Sequence, residues 1–433
     1  MSEIATDDGM IPQREIQARL ARYAATKDGR DLWPEVSPAA FRAAQEEIAR
    51  VARAVLTDAG SPVHFEIPPG ADTRACGVAA FAAGMGPLLG FWCKTGRVAA
   101  PPAVADLLAR HLDHGRRRAT RMRHELERLL APLADRGIEV CVLKGTHTAH
   151  RYFPEPGTRP AADIDLLVRP EDGQGARGVL RDLGFDEASS TEPERGHWTP
   201  PEPQAVRSLE LAHADDPWSV DLHVSLDRTP FPGLSTGLGT PGPSDWQVWH
   251  EFSPPVHTLP QPLLLAYLAL HASSHFYEIA LVRLVELALV VRRDLADRPE
   301  AWRAFDELVR RTGSGRFVFP ALALAERLVP GTVDSLVLER AAAPAPRRLR
   351  RLVNEMTPAS AQRLHPRPLG VHLVWAASPR EVLAGLVDVA WPRLGAKRLP
   401  PHQVPRVQWQ RLRRAFHGSA LARLARSALN RPV

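Results

Sequence analysis

The segment Asp163-Ile164-Asp165 sets two carboxylates two residues apart, and inside a β-strand that spacing projects both from one face. Like charges held so close need a neutralising cation. Mg2+, a hard ion that takes carboxylate and phosphate oxygens, suits them. A third acid, Asp221, stands between Val220 and Leu222, which would turn into a core and leave the carboxylate on the other face. Asp163, Asp165 and Asp221 together make sense as a two-metal site for in-line phosphoryl or nucleotidyl transfer. Upstream, residues 138–143 form a short apolar run that ends in Lys144-Gly145-Thr146, where Gly permits a sharp turn from strand into helix. The Gly145 and Thr146 amides and the Thr146 hydroxyl would face a triphosphate. Lys144 is one of four lysines in an Arg-dominated chain, which suggests that a compact ammonium is wanted there. Arg159, four residues before Asp163, could reach the same phosphates or serve as a salt-bridge residue.

These residues need a sheet to hold them. The acidic strand runs to Val168, Pro170-Glu171-Asp172 starts a helix, and Gly184-Phe185 stops it. Residues 209–212 and 219–226 alternate at period two, as antiparallel neighbours in a partly exposed sheet would. Cys141 is expected to be a buried small hydrophobe, and Glu210 and Asp227 to be solvated. The expected fold class is α/β (α+β), a small mixed sheet between two helical regions. Its expected divisions are an N-terminal helical region (1–135), the α/β core (136–228), a Pro/Gly-rich loop (229–260), a C-terminal helical bundle (261–392) and a basic amphipathic tail (393–433). Within the bundle, helical spacing predicts helices over 262–274, 279–294, 299–312, 317–328, 346–355 and 379–390, with a last one near 407–428.

The motifs Leu143-Lys144-Gly145-Thr146, Arg159-Pro160, Asp163-Ile164-Asp165-Leu166-Leu167-Val168 and Val220-Asp221-Leu222-His223 resemble those of the "uncharacterised nucleotidyltransferase" family of the DNA polymerase β-like superfamily. The resemblance spans about residues 80–310 and extends to Gly86-Pro87-Leu88-Leu89, Leu270-His271, His275 and Arg283-Leu284. It implies a minimal nucleotidyltransferase sheet flanked by helices, Mg2+-dependent use of an NTP such as ATP, and the Asp-x-Asp pair plus a distal Asp as metal ligands. Family members often sit in bacterial clusters for peptide natural products or surface polysaccharides. The implied acceptor is therefore a hydroxyl of a small molecule, a peptide natural product or a saccharide intermediate. Two departures stand out: Gly145-Thr146 replaces the usual Gly-Ser, and Glu286 stands where relatives tend to carry Asp.

The 433 residues, 44% hydrophobic with 55 Lys+Arg against 49 Asp+Glu, can bury a sizeable core and do not belong to a disordered or fibrous chain. Three cysteines without zinc-type spacing argue against a disulfide framework and structural zinc. No run approaches the roughly 18 apolar residues of a membrane span, and the N-terminus lacks a signal-peptide pattern, so a cytoplasmic location is expected. His271 and His275, at helical i, i+4 spacing, are read either as cleft-lining residues or as helix-packing residues; His223 joins them as a cleft-lining candidate. After Asp388 there are ten basic residues and no acid, and Trp409, Leu412, Phe416, Ala420 and Leu424 would share one helical face. RNA, an anionic membrane surface or an acidic partner would suit this tail, as would closure of the domain by its apolar stripe. Two alternatives to a small-acceptor enzyme follow: a toxin-like transferase acting on RNA or tRNA, and a non-catalytic nucleotide-binding scaffold in a biosynthetic cluster.

Overall fold

The computed structural model describes residues 11–409 except 27–28, 34, 59, 189–194, 232–233, 240, 277, 363–370, 392, 395–396 and 407. Five helices come first: α1 (Gln13–Thr26), α2 (Pro38–Thr57), α3 (Thr73–Ala82), α4 (Gly86–Lys94) and the long α5 (Pro102–Asp135). Ser37 and Asp72 cap α2 and α3 by accepting the Ala40 and Ala75 amides. The central segment is β1 (Cys141–Val142), α6 (Thr146–Tyr152), β2 (Asp163–Leu167), α7 (Gly173–Asp182), β3 (Asp186–Ala188), β4 (Arg195–Thr199), β5 (Ser219–His223), β6 (Gln247–Trp249) and β7 (Val256–Thr258). Seven helices follow: α8 (Leu263–Ser274), α9 (Leu281–Asp294), α10 (Pro299–Thr312), α11 (Gly315–Leu328), α12 (Ser335–Ala342), α13 (Arg347–Glu355) and α14 (Pro379–Ala390). The expected α+β class is what this architecture shows.

The seven strands form one mixed sheet in the order β6-β7-β1-β2-β5-β4-β3. The pairs β7–β1 and β2–β5 are parallel and the others antiparallel. Alternation sorts their side chains. Val142, Ile164, Leu166, Val168, Val220 and Leu222 enter a core with Leu126, Leu129 and Leu133 of α5 and with Val179 and Leu180 of α7. On the other face Cys141, Leu143 and Leu167 join a second core that runs from Phe41 of α2 through α8 and α9 to Val353 of α13. Helix α8, apolar on every side, is buried accordingly.

Several expectations are corrected. Residues 229–260 are not simply a loop: Arg228–Phe231 pairs with Leu234–Thr236, and β6 and β7 extend the main sheet. Trp246, Phe252 and Val256 anchor this stretch in the cores, and strands of three residues between Pro and Gly leave little alternation to detect. Residues 209–212 are not a strand, because Ser208 Oγ accepts the amides of Glu210 (3.0 Å) and Leu211 (3.1 Å) and bends the chain. Glu210 is not solvated but fully buried, and burial raises its pKa. The expected antiparallel neighbour of β5 is β4, while β2 lies parallel on its other side.

Among the described residues no helix is long and apolar enough to cross a membrane; α3 and α4 pass that test only as a pair bent by 116°, and both contribute to the core. Within the tail, Arg393–Leu394 pairs with Lys397–Arg398. The tail positions from 410 onward, with Leu412, Phe416, Ala420, Leu424 and most of the helix expected near 407–428, lie outside the described residues.

Candidate active site

The parallel pairing of β2 with β5 aligns Asp163 with Ser219, Asp165 with Asp221 and Leu167 with His223. Antiparallel β4 extends the rows by setting His197 beside Asp221 and Arg195 beside His223. One row across the sheet is thus Asp165–Asp221–His197, and the next is Leu167–His223–Arg195. Adjacent strands lie about 4.8 Å apart, so two carboxylates meet at the centre of the first row. Asp165 and Asp221 are buried, whereas Asp163, at the open end of β2, keeps 36% of its side chain exposed.

Each buried acid has partners. Lys144 Nζ donates to Asp165 Oδ2 and lies 3.5 Å from Asp163 Oδ2. His223 Nε2 is 3.2 Å from Asp165 Oδ1. Burial alone would raise the Asp165 pKa, but the Lys144 ammonium and the His223 contact outweigh it and hold the carboxyl well below its ordinary range. For Lys144, burial pulls the pKa down and the charges of Asp163 and Asp165 more than reverse that, so the ammonium is kept. Asp221 accepts from Arg195 and holds His197 Nδ1 at 2.8 Å, with His197 half-exposed.

The turn before α6 is built as expected at one position: Gly145 takes φ +74°, a conformation that disfavours other residues. Thr146 is buried as the first residue of α6. Arg159 does reach the turn, with Nη1 3.7 Å from where a Cβ on Gly145 would stand, but its fork is occupied. Its Nε and Nη2 donate to the two oxygens of Glu286 on α9 (2.7 and 3.0 Å), a buried bidentate pair that raises the Arg159 pKa despite burial. Glu286 therefore fixes α9 beneath the turn. Tyr152, at the end of α6, fastens the same helix by donating to Asp294 (2.6 Å).

Arg118 of α5 sets the two acidic strands in register. Buried to 4% exposure, it donates to the carbonyls of Ala161 (3.1 Å), Ala214 (3.3 Å), Asp216 and Pro217 (2.9 Å), which lead into β2 and β5. Burial lowers its pKa to about 10, leaving it charged at neutral pH. Gly115 and Gly157 let α5 approach the turn before β2, since a Cβ on Gly115 would stand 2.3 Å from the Gly157 carbonyl oxygen.

Asp165, Asp221 and His223 can each bring one ligand atom within 4.8 Å of the others, a donor set that fits a divalent cation. Asp163 lies outside that set, next to Lys144. The rings of His271 and His275 meet edge-on, 5.0 Å apart, and that of His271 stacks on Tyr267 at 6.4 Å, the tyrosine whose charge bears on Lys144. Sequence reasoning missed Arg195, His197 and Arg118. In Arg195-Gly196-His197-Trp198-Thr199 the buried Gly196 and Trp198 alternate with outward residues, and that pattern was the available signal.

Comparison with known families matches residues 79–330, more than half of the chain, to a family described as an uncharacterised nucleotidyltransferase. No curated protein and no solved structure matches. Since β1, β2, β5 and α9 all fall within the matched span, the chain belongs to this uncharacterised nucleotidyltransferase family and is a transferase.

Proposed function

We propose that the enzyme moves a nucleoside monophosphate from an NTP to a hydroxyl of a small acceptor, with Mg2+ held by the carboxylates of Asp165 and Asp221, assisted by Asp163, and His223 orienting Asp165. The observation that carries this is the registered pair Asp165–Asp221 on adjacent parallel strands, beside the Lys144 turn. A bound divalent ion would polarise the phosphoryl oxygens and neutralise charge as the transition state forms. Lys144 donates to Asp165, and with a divalent cation on that carboxylate its ammonium would be free to turn to the phosphates. Asp221 accepts the proton of the acceptor hydroxyl, and its contact with half-exposed His197 leads that proton toward solvent. The acceptor oxygen bonds to the α-phosphorus, the bond from that phosphorus to the α–β bridging oxygen breaks, and pyrophosphate departs with the electron pair.

Sugar- or peptide-modifying chemistry fits the family resemblance, and a cytoplasmic location fits a supply of NTP. The basic sequence after Asp388 is the feature that favours an RNA acceptor instead. Pyrophosphate release from each of the four NTPs, with Mg2+ and with a cell lysate supplying acceptors, tests the proposal. Wild type should release pyrophosphate and Asp165→Asn should lose about a hundredfold or more of that rate. Equal release by both would refute it, and tight NTP binding without release under any acceptor would favour a scaffold.

A further inference from the structure

Around the carboxylates, three cations are each held in a close pair with an acid: Lys144 with Asp165 (and with Asp163 at 3.5 Å), Arg195 with Asp221 and Arg159 with Glu286. Arg283 breaks the pattern. Its Nη1 is buried without a hydrogen-bond partner, and among the described residues no acid lies within ion-pair distance of its guanidinium. A buried guanidinium lacking an acceptor is a costly arrangement unless an anion completes it.

The position of Arg283 says which anion. It stands three residues before Glu286 on α9, so the two share a helix face. Glu286 grips Arg159, whose Nη1 is 3.7 Å from where a Cβ on Gly145 would be. Arg283 therefore belongs to the layer that backs the Lys144-Gly145 turn, and it lies within the field of Asp163 and Asp165. Burial and neighbouring Arg159 lower its pKa to about 10, which still leaves it charged at neutral pH. The residue as a whole is only partly buried, although Nη1 itself is covered.

We propose that Arg283 is the polyphosphate-binding residue of this site, holding the β- and γ-phosphates of the NTP and then the departing pyrophosphate. The role rests on the nucleotidyltransferase assignment above. It falls to Arg283 and not to Arg159 because the Arg159 fork is closed on Glu286, whereas that of Arg283 has donors to give.

Calorimetric titration of the full chain with inorganic tripolyphosphate, with and without Mg2+, tests this in wild type, Arg283→Gln and Arg283→Met. Both variants should bind tripolyphosphate about tenfold to a hundredfold more weakly. Without ligand they should melt no lower than wild type, since an unpartnered buried charge has been removed. Unchanged affinity in either variant overturns the proposal, as does a lower ligand-free melting temperature with affinity intact, which would mark Arg283 as structural. If tripolyphosphate binds in an Arg283-dependent way but no NTP yields pyrophosphate, nucleotidyl transfer fails and the anion site stands. If wild type binds neither tripolyphosphate nor NTP, both fall.

Discussion

At the scale of single residues, the site is a set of buried charges that cancel locally. Lys144 and Asp165 are both nearly inaccessible, and each is held in its charged form by its neighbours, Lys144 by Asp163 and Asp165 and Asp165 by Lys144 and His223. Removing one partner leaves the other buried and uncompensated, which typically costs about 3–5 kcal/mol. Lys144→Met should therefore lower stability by about that amount in urea unfolding, and adding Asp165→Asn should restore much of it. Millimolar Mg2+ should rescue Lys144→Met but not the double variant, because the cation replaces the missing ammonium only where the carboxylate remains. A double variant as unstable as the single one would show that the pair is not coupled. Asp165, Asp163 and Asp221 were legible from the sequence because strand alternation alone fixes their face. The partners were not legible: Arg195 and His197 reach Asp221 from β4, and Glu286 reaches Arg159 across 127 positions of chain.

At the scale of elements, the acidic strands depend on a helix that contributes no chemistry. Arg118 of α5 ties the approaches to β2 and β5 through carbonyls on both, so their register is set from outside the sheet. Arg118→Ala should destabilise the protein by about 3 kcal/mol, because several carbonyls lose a charged donor in a buried place. Arg118→Lys should recover little, since one ammonium cannot span the same four acceptors. Equal urea midpoints for wild type and Arg118→Ala would contradict this. Elements with a long uniform pattern were readable in the sequence: β2 and β5 by alternation, and α8 to α11 by helical spacing. Short elements were not. The three residues of β6 and of β7 owe their strand state to Trp246, Phe252 and Val256 packing in the cores, and residues 209–212 mimic a strand while the Ser208 hydroxyl takes the amides.

At the scale of the whole molecule, one core runs from α2 across one face of the sheet into α13, so buried groups that contact it report on global unfolding. His111 of α5 and His147 of α6 are such groups. Burial lowers the pKa of each to about 3, whereas an unfolded histidine titrates near 6.5. Between those values the unfolded chain binds more protons than the folded one, so stability falls as pH falls below about 6.5, by about 1.4 kcal/mol per unit for each histidine. From pH 7 to pH 5 the two together remove about 4 kcal/mol. His147→Phe, which preserves a ring against Tyr152 and Trp249, should remove about half of that loss in unfolding measured at both pH values. An identical pH dependence in the variant would show that His147 is not held neutral.

The central claim is that the registered aspartates direct attack at the α-phosphorus of an NTP. Incubation of the enzyme with Mg2+, acceptor-containing lysate and NTP labelled in parallel at the α- or the γ-phosphate tests it most directly. The α-label should enter an acceptor and the γ-label leave as pyrophosphate, and Asp163→Ala/Asp165→Ala should abolish both. Transfer of γ-label to the acceptor, or α-label transfer undiminished in the double variant, would contradict it.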